Sequence, residues 1–167
     1  MSAVSIKRVN RSELPFFAEL IRESFATLAR DFKLDESKAP HNAAFLKLSD
    51  LEADFDSGAE MYSLSENKAP AGFVQLKPLE DGTLLLNRLA VLPEYRGRGF
   101  ARKLLAFADL RALELRASRI ELTIIDESAK HKRLYSSEGY IQTDTRAFPD
   151  RPYKVAFMEK RFSPERA

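Results

Sequence analysis

The chain has 167 residues, of which 44% are hydrophobic and 31% charged, and its 27 Lys and Arg against 25 Asp and Glu leave a net charge of +2. This composition predicts one soluble, cytoplasmic domain over residues 1–167, with no stretch apolar enough for a signal peptide or a membrane span. Because there is no cysteine and there are only two histidines, disulfides and thiolate nucleophiles are excluded, and we expect no metal site.

The first third of the chain predicts one strand and two helices. Apolar side chains at residues 4–9 are interleaved with Ser, Lys and Arg, which indicates a short strand. Ser12 is suited to cap a helix whose apolar side chains recur at helical spacing over residues 17–28. The run 49–52, Ser-Asp-Leu-Glu, has the spacing of a capping box and predicts a second, short helix that ends at Gly58.

The rest of the chain predicts three strands followed by alternating helices and strands. Short β-rich runs separated by turn sequences indicate an antiparallel meander. The predicted ranges are 61–66, 71–77 and 83–92 for the meander, 101–115 and 128–138 for helices, and 120–126, 140–143 and 154–160 for the other strands. The resulting order, β-α-α-β-β-β-α-β-α-β-β, is that of a mixed α/β domain.

A glycine-rich turn at residues 96–101, Arg-Gly-Arg-Gly-Phe-Ala, lies between a predicted strand and a predicted helix. Small residues at a helix N-terminus leave backbone N–H groups open to an anion, and Arg96, Arg98 and Arg102 supply positive charge. A P-loop is excluded because no Gly-Lys-Ser or Gly-Lys-Thr occurs, and a G-x-G-x-x-G turn is excluded because Arg102 replaces its last glycine. These residues alone are compatible with a phosphate site or with a tight turn that carries solvated arginines.

Two short motifs occur in order along the second half of the chain. The run 88–101 ends in the pattern Q/R-x-x-G-x-G/A, and Leu-Tyr at 134–135 is followed by Gly-Tyr at 139–140. In these motifs and in the order of its elements, nearly the whole chain resembles the GNAT superfamily of N-acetyltransferases. The resemblance implies a GNAT-like α/β fold, in which a mixed, mostly antiparallel sheet is flanked by helices on both faces.

The resemblance also implies a binding site for acetyl-CoA. The strand before the turn would lie beside the pantetheine arm, and the backbone amides of the turn would wrap the pyrophosphate. Ser128 stands where the family often has an Asn that contacts CoA, although a role as helix N-cap explains this serine equally well. The residues implied for cofactor binding are Leu89, Ala90, Val91, Arg96, Gly97, Arg98, Gly99, Phe100, Ala101, Arg102 and Ser128.

The same resemblance implies one catalytic residue and leaves the base open. Tyr135 takes the place of the tyrosine that protonates the departing CoA thiolate, a role that suits a phenol with a pKa near ~10. Asn87 occupies a position where the family often has a carboxylate, and an amide cannot act as a base. Water, Asp126 or Glu127 are the candidates instead, whereas His131 is interpreted as a structural or solvated side chain.

We therefore expect an acetyl-CoA-dependent N-acetyltransferase that acts on a primary amine of a small molecule or peptide by direct attack in a ternary complex. A non-catalytic acyl-CoA-binding or sensing domain is the alternative, and Tyr135 argues against it. Acidic residues are nearly as numerous as basic ones, so neither nucleic acid nor a membrane is expected as a partner, and a homodimer stays open. The residues expected at the acceptor site are His41, Asn42, Asn87, Arg146 and Arg151.

Overall fold

A computed structural model, which describes residues 2–163, confirms the predicted order of helices and strands. It adds three short 3-10 turns, at Arg11–Glu13, Ala43–Phe45 and Pro93–Tyr95. The strands are β1 (Val4–Arg8), β2 (Glu60–Glu66), β3 (Ala69–Pro78), β4 (Thr83–Val91), β5 (Arg119–Ile125), β6 (Ile141–Ala147) and β7 (Lys154–Arg161), and the helices are α1 (Leu14–Asp31), α2 (Leu48–Asp56), α3 (Phe100–Glu114) and α4 (Ala129–Ser137). Residues 1 and 164–167 of the expected domain lie outside the described residues.

The seven strands form one sheet in the order β1-β2-β3-β4-β5-β7-β6. Neighbouring strands are antiparallel except for β4 and β5, which run parallel and pair only at residues 83–85 and 119–121. Beyond these three residue pairs the two strands separate. The C-terminal halves of β4 and β5 therefore border a wedge in the middle of the sheet, and the expectation of a mostly antiparallel, GNAT-like sheet is confirmed.

Helices cover both faces of this sheet, as expected. Successive strand residues point to opposite faces, so Met61 and Phe73 pack with α1 and α2, whereas Tyr62 and Val74 pack with α3 and α4. Burial of each large apolar side chain contributes roughly 1.5–3 kcal/mol to folding. The two cores hold the helices rigidly on either side of the wedge.

Two helix starts differ from the prediction. The first helical turn begins at Arg11, so Ser12 lies inside it, and the N–H of Asn10 donates to Glu13 Oε1 at 2.9 Å. Helix α2 begins at Leu48, so Ser49 lies in its first turn and does not cap it. In both places the extended residue that precedes the first helical turn lies two positions before the serine, at Asn10 and at Lys47. Gly58, with a φ of 102°, ends α2 as predicted.

Candidate active site

Two clefts open into the wedge and meet. The first has a volume of about 520 Å³ and lies between α1, the end of β4, the glycine-rich turn and α4. The second, of about 360 Å³, lies between β4, β5 and the segments around His41 and Tyr153. The residues that line both clefts are Phe25, Leu28, Leu89, His131 and Tyr135. Two molecules that entered from the two sides would therefore meet beside Tyr135.

The glycine-rich turn presents unpaired backbone donors to the first cleft. Gly97 and Gly99 have φ values of 78° and 80°, a region that glycine adopts without the steric cost of a side chain. The first backbone hydrogen bond of α3 runs from the N–H of Lys103 to the oxygen of Gly99 at 3.0 Å. The N–H groups of residues 97–102 have no backbone partner within residues 2–163, and the helix dipole adds partial positive charge there. This end of the cleft fits a pyrophosphate.

The arginines of the turn have separate surroundings. Arg96 turns its guanidinium away from the turn, donating from Nη2 to Ser24 O at 2.6 Å and from Nε to Val91 O at 3.2 Å. Arg98 pairs with a glutamate of β2 at 2.6 Å and does not line either cleft. Arg102 lines the first cleft and pairs with Glu138 and Ser137 at the end of α4. Arg96 and Arg102 therefore both line the first cleft, but the Arg96 guanidinium is bonded to α1 and β4 and the Arg102 guanidinium to the end of α4.

The end of β4 offers a second set of backbone donors. Its residues 89–91 all line the first cleft. The N–H of Leu92 donates to Ala71 O at 2.9 Å, on the β3 side. Because the N–H groups of alternate strand residues point the same way, those of Leu89 and Val91 point away from β3 and into the wedge. This edge can hydrogen-bond an extended ligand such as a pantetheine arm, or a carbonyl oxygen that gains negative charge.

Tyr135 lies between the two clefts on α4. Its side chain is almost wholly buried, and its ring meets that of Tyr140 edge-on, with centroids 5.6 Å apart. Burial raises the pKa of the Tyr135 hydroxyl well above its usual value. The phenol is therefore protonated at neutral pH and has a proton to donate.

Ser128, which is buried, and His131, which is partly buried, form a pair at the start of α4. Ser128 is only 5% exposed and occupies the N-cap position, but its hydroxyl makes no capping bond. Instead its Oγ lies 2.6 Å from Nδ1 of His131, which lines both clefts. Burial lowers the pKa of His131, and the cations of Lys130 and Arg96 lower it further. His131 is thus partly buried, bonded to Ser128 and at the border of both clefts.

The second cleft contains a charged cluster that the sequence did not indicate. Arg88 lies on a bulge of β4, where two residues oppose Val74 of β3, and has a φ of 53°. Its Nη1 donates to Asp54 Oδ2 and, at 2.6 Å, to Gln75 Oε1. Arg88 and Asp54 line the cleft. Asp54 and Gln75 come from α2 and β3, so only the fold brings them to Arg88, and the one sequence signal was the place of Arg88 at the start of the run 88–101.

Four of the five residues expected at the acceptor site do line the second cleft, namely His41, Asn42, Asn87 and Arg151. Asn42 also accepts the N–H of Ala44 at 3.0 Å, so part of its side chain serves the local turn. Arg146, on the exposed strand β6, lines neither cleft. Its guanidinium pairs with Asp144 at 2.6 Å and lies over the ring of Phe157 on β7. The structure therefore separates Arg146 from the other four.

The two carboxylates that the sequence offers as bases, Asp126 and Glu127, do not line the second cleft. Asp126 accepts a hydrogen bond from Lys132 at 2.6 Å, which lowers the pKa of its carboxyl. Glu127 lines the first cleft but not the second. Within residues 2–163, no group of three or more His, Asp or Glu is placed to hold a metal ion, and no helix there is long and apolar enough to cross a membrane.

A sequence profile of the acetyltransferase (GNAT) domain matches residues 57–142, which include the wedge, the glycine-rich turn and Tyr135. The chain belongs to this family. It is 34% identical to the L-2,4-diaminobutyric acid acetyltransferase of Streptomyces coelicolor over 97 residues, which span 51% of this chain and only 57% of that relative.

Solved structures with the same fold extend over almost the entire chain. The ribosomal-protein-S18-alanine N-acetyltransferase of Escherichia coli superposes with a TM-score of 0.78 at 16% identity, over 96% of this chain and 95% of that one. The PaiA N-acetyltransferase of Thermoplasma acidophilum, solved with coenzyme A, gives 0.77 at 19% identity, over 96% and 99% of the two chains. At these identities the likeness establishes the fold.

Proposed function

We propose that the protein is an acetyl-CoA-dependent N-acetyltransferase, cytoplasmic, which transfers the acetyl group to a primary amine of a small molecule or peptide. The observation that carries this proposal is the meeting of the two clefts at Tyr135 and Leu89. The first cleft has unpaired N–H groups at a helix N-terminus and suits an anionic, extended donor. The second is lined by charged side chains and suits a polar acceptor.

Different residues of the chain contribute to each step of the acetyl transfer. The N–H groups of residues 97–102 bind the pyrophosphate, and the free edge of β4 holds the pantetheine arm. An N–H of Leu89 or Val91 faces the thioester oxygen and stabilises the negative charge that it gains during attack. Tyr135 then donates its proton to the departing thiolate, because burial beside Tyr135 makes the thiolate more basic than it is in water. Acetyl-CoA supplies the activated acyl group, and no covalent acyl-enzyme is needed.

Two observations support this acceptor class, namely the lining of the second cleft and the names of similar proteins. One relative is named for an amino acid with a side-chain amine, and one structural neighbour for a protein's alanine. Both acceptors carry a primary amine next to polar groups. Arg88, Arg151 and Asp54 give the second cleft charges of both signs, which match an acceptor that bears a carboxylate as well as an ammonium group.

The test is a pair of measurements on the purified protein. Calorimetry should show binding of acetyl-CoA, and free thiol should appear when amino acids, diamino acids, polyamines or peptide N-termini are added. Binding without thiol release for any amine would favour a non-catalytic acyl-CoA-binding domain. Absence of binding would contradict both functions.

A further inference from the structure

One titratable side chain at the junction of the two clefts has no part in the function described so far. His131 lines both clefts, one helical turn before Tyr135 and on the same face of α4. Its Nδ1 is held by the buried hydroxyl of Ser128 at 2.6 Å. Its other ring nitrogen, Nε2, has no hydrogen bond to any residue in 2–163. A histidine fixed in this way presents one free nitrogen to the space where donor and acceptor meet.

We propose that His131 is the general base that deprotonates the acceptor amine, and that Ser128 positions it; this rests on the acetyltransferase function proposed above. With Nδ1–H donating to Ser128 Oγ, Nε2 carries a lone pair. It takes one proton from the acceptor ammonium, and the freed amine nitrogen bonds to the thioester carbon. As the C–S bond breaks, the sulfur leaves with the bonding pair and takes the proton of Tyr135. The second proton lost by the nitrogen restores Tyr135 through water, and Nε2 releases its proton to solvent.

The other candidate bases are less suited to the acceptor amine, since Glu127 lines only the first cleft and Asp126 lines neither cleft. Asn87 lines the second cleft, but its amide does not accept a proton at neutral pH. Asp126 is paired with Lys132, and Asp54 is paired with Arg88, so each carboxylate already has a cation. The hydrogen bond from Lys132 lowers the pKa of the Asp126 carboxyl, which makes this carboxylate a weak base. His131 has no ion-pair partner among residues 2–163 that would retain the proton it accepts.

The charges around His131 also favour the neutral imidazole. Lys130 on the same helix and Arg96 from the turn both disfavour a second positive charge, and burial acts in the same direction. The titratable or charged side chains that line the first cleft are Asp31, Tyr95, Arg96, Arg102, Glu127, Lys130 and Tyr135, and those that line the second are His41, Asp54, Arg88, Tyr135, Arg151 and Tyr153. The pKa of His131 is therefore lowered from 6.5, and at pH 7 its nitrogen is free to accept a proton.

The experiment compares His131→Gln with the wild type from pH 5.5 to 9.5. Glutamine still hydrogen-bonds Ser128 but does not titrate. At pH 7 we expect kcat/KM for the acceptor to fall by roughly 100-fold, the lower end of a typical general-base contribution. In the wild type, the acidic limb of the plot of kcat/KM against pH should have an apparent pKa below 6.5, and His131→Gln should lack this limb. The loss of kcat/KM in the variant should be smaller at pH 9.5, because more of the amine is already deprotonated. Calorimetry should give the same acetyl-CoA affinity for both proteins.

Two further variants separate a base from a structural residue. Arg133→Gln, on an exposed position of α4 that lines neither cleft, should behave as the wild type. Ser128→Ala should shift the acidic limb and lower kcat/KM, and Ser128→Thr, which retains the hydroxyl, should restore both. An equal deficit of His131→Gln at every pH, no deficit at pH 7, or weaker acetyl-CoA binding would overturn the proposal. Absence of thiol release by the wild type would instead contradict the acetyltransferase function itself.

Discussion

The guanidinium of Arg96 donates to the backbone oxygen of Ser24 at 2.6 Å and so ties the glycine-rich turn to a helix 72 residues earlier in the chain. The same side chain reaches Thr27 Oγ1 at 3.1 Å and Val91 O at 3.2 Å. Three hydrogen bonds from one partly buried cation thus join α1, β4 and the turn. The family motif requires Arg or Gln at this place, and both can donate to backbone oxygens.

The first prediction concerns the three hydrogen bonds that Arg96 donates. Arg96→Ala leaves the oxygens of Ser24 and Val91 without a donor, and hydrogen bonds from charged groups contribute about 1.5–3 kcal/mol each at most, so we expect a loss of roughly 2 kcal/mol in the free energy of unfolding. Urea denaturation measures it. Arg98→Ala, which removes a half-exposed pair with Glu66, is the matched control and should cost under about 1 kcal/mol. Equal losses would show that Arg96 does not join the three elements.

The second prediction concerns the backbone of the turn. A Cβ at Gly99 would meet no atom within 4 Å, but it would project from a residue with a φ of 80°, at the edge of the first cleft. Gly99→Val should therefore weaken acetyl-CoA binding by at least about tenfold, because strain of 1–2 kcal/mol distorts the N–H groups that bind phosphate. Gly58→Val is the control, since Gly58 has a φ of 102°, open space and a place outside both clefts.

Calorimetry on folded Gly99→Val and Gly58→Val measures the acetyl-CoA affinity of each variant. Gly58→Val should be destabilised to a similar degree and bind acetyl-CoA as the wild type does. If Gly99→Val retained full affinity in the folded state, the turn would not be the phosphate site.

The turn also shows what the sequence was able to predict. Local patterns determine helices, strands and a helix N-terminus, so the order of elements and the glycine-rich turn were predicted correctly. The splaying of β4 from β5 depends on tertiary packing and has no local pattern. The cluster of Asp54, Gln75 and Arg88 and the pairing of Ser128 with His131 depend on which side chains the fold brings together, and this is why they were missed. Arg146 was assigned to the acceptor site from its loop, but the β6–β7 pairing turns it onto Phe157.

The third prediction concerns Tyr135. Tyr135→Phe keeps the ring against Tyr140 and removes only the hydroxyl, so kcat should fall by roughly 100-fold or more while acetyl-CoA affinity stays the same. Tyr140→Phe is the matched control. The Tyr140 hydroxyl is buried without a hydrogen-bond partner in the described part of the chain, so its loss should leave kcat unchanged and stability equal or higher. An unchanged kcat in Tyr135→Phe would mean that water protonates the thiolate.

The fourth prediction concerns recognition of the acceptor by the second cleft. Arg151 lines this cleft, lies 4.9 Å over the ring of Phe148 and has only the neighbouring Asp150 as an ion-pair partner within residues 2–163. Nε and Nη2 of the partly exposed Arg151 donate to Asp150 at 3.1 and 3.2 Å, which leaves Nη1 available to a carboxylate on the acceptor. Arg151→Ala should therefore raise the KM of a carboxylate-bearing amine by roughly tenfold, the equivalent of about 1.4 kcal/mol, without changing that of acetyl-CoA.

Arg146→Ala is the control for this measurement. It removes the same kind of side chain from the neighbouring strand, where the guanidinium pairs with Asp144 and faces neither cleft. Its KM for the acceptor should equal that of the wild type. The decarboxylated analogue of the acceptor adds a second comparison, because without the carboxylate the wild type and Arg151→Ala should have the same KM. If Arg146→Ala and Arg151→Ala changed KM equally, or if the analogue still distinguished Arg151→Ala from the wild type, a carboxylate would not be the group that Arg151 binds.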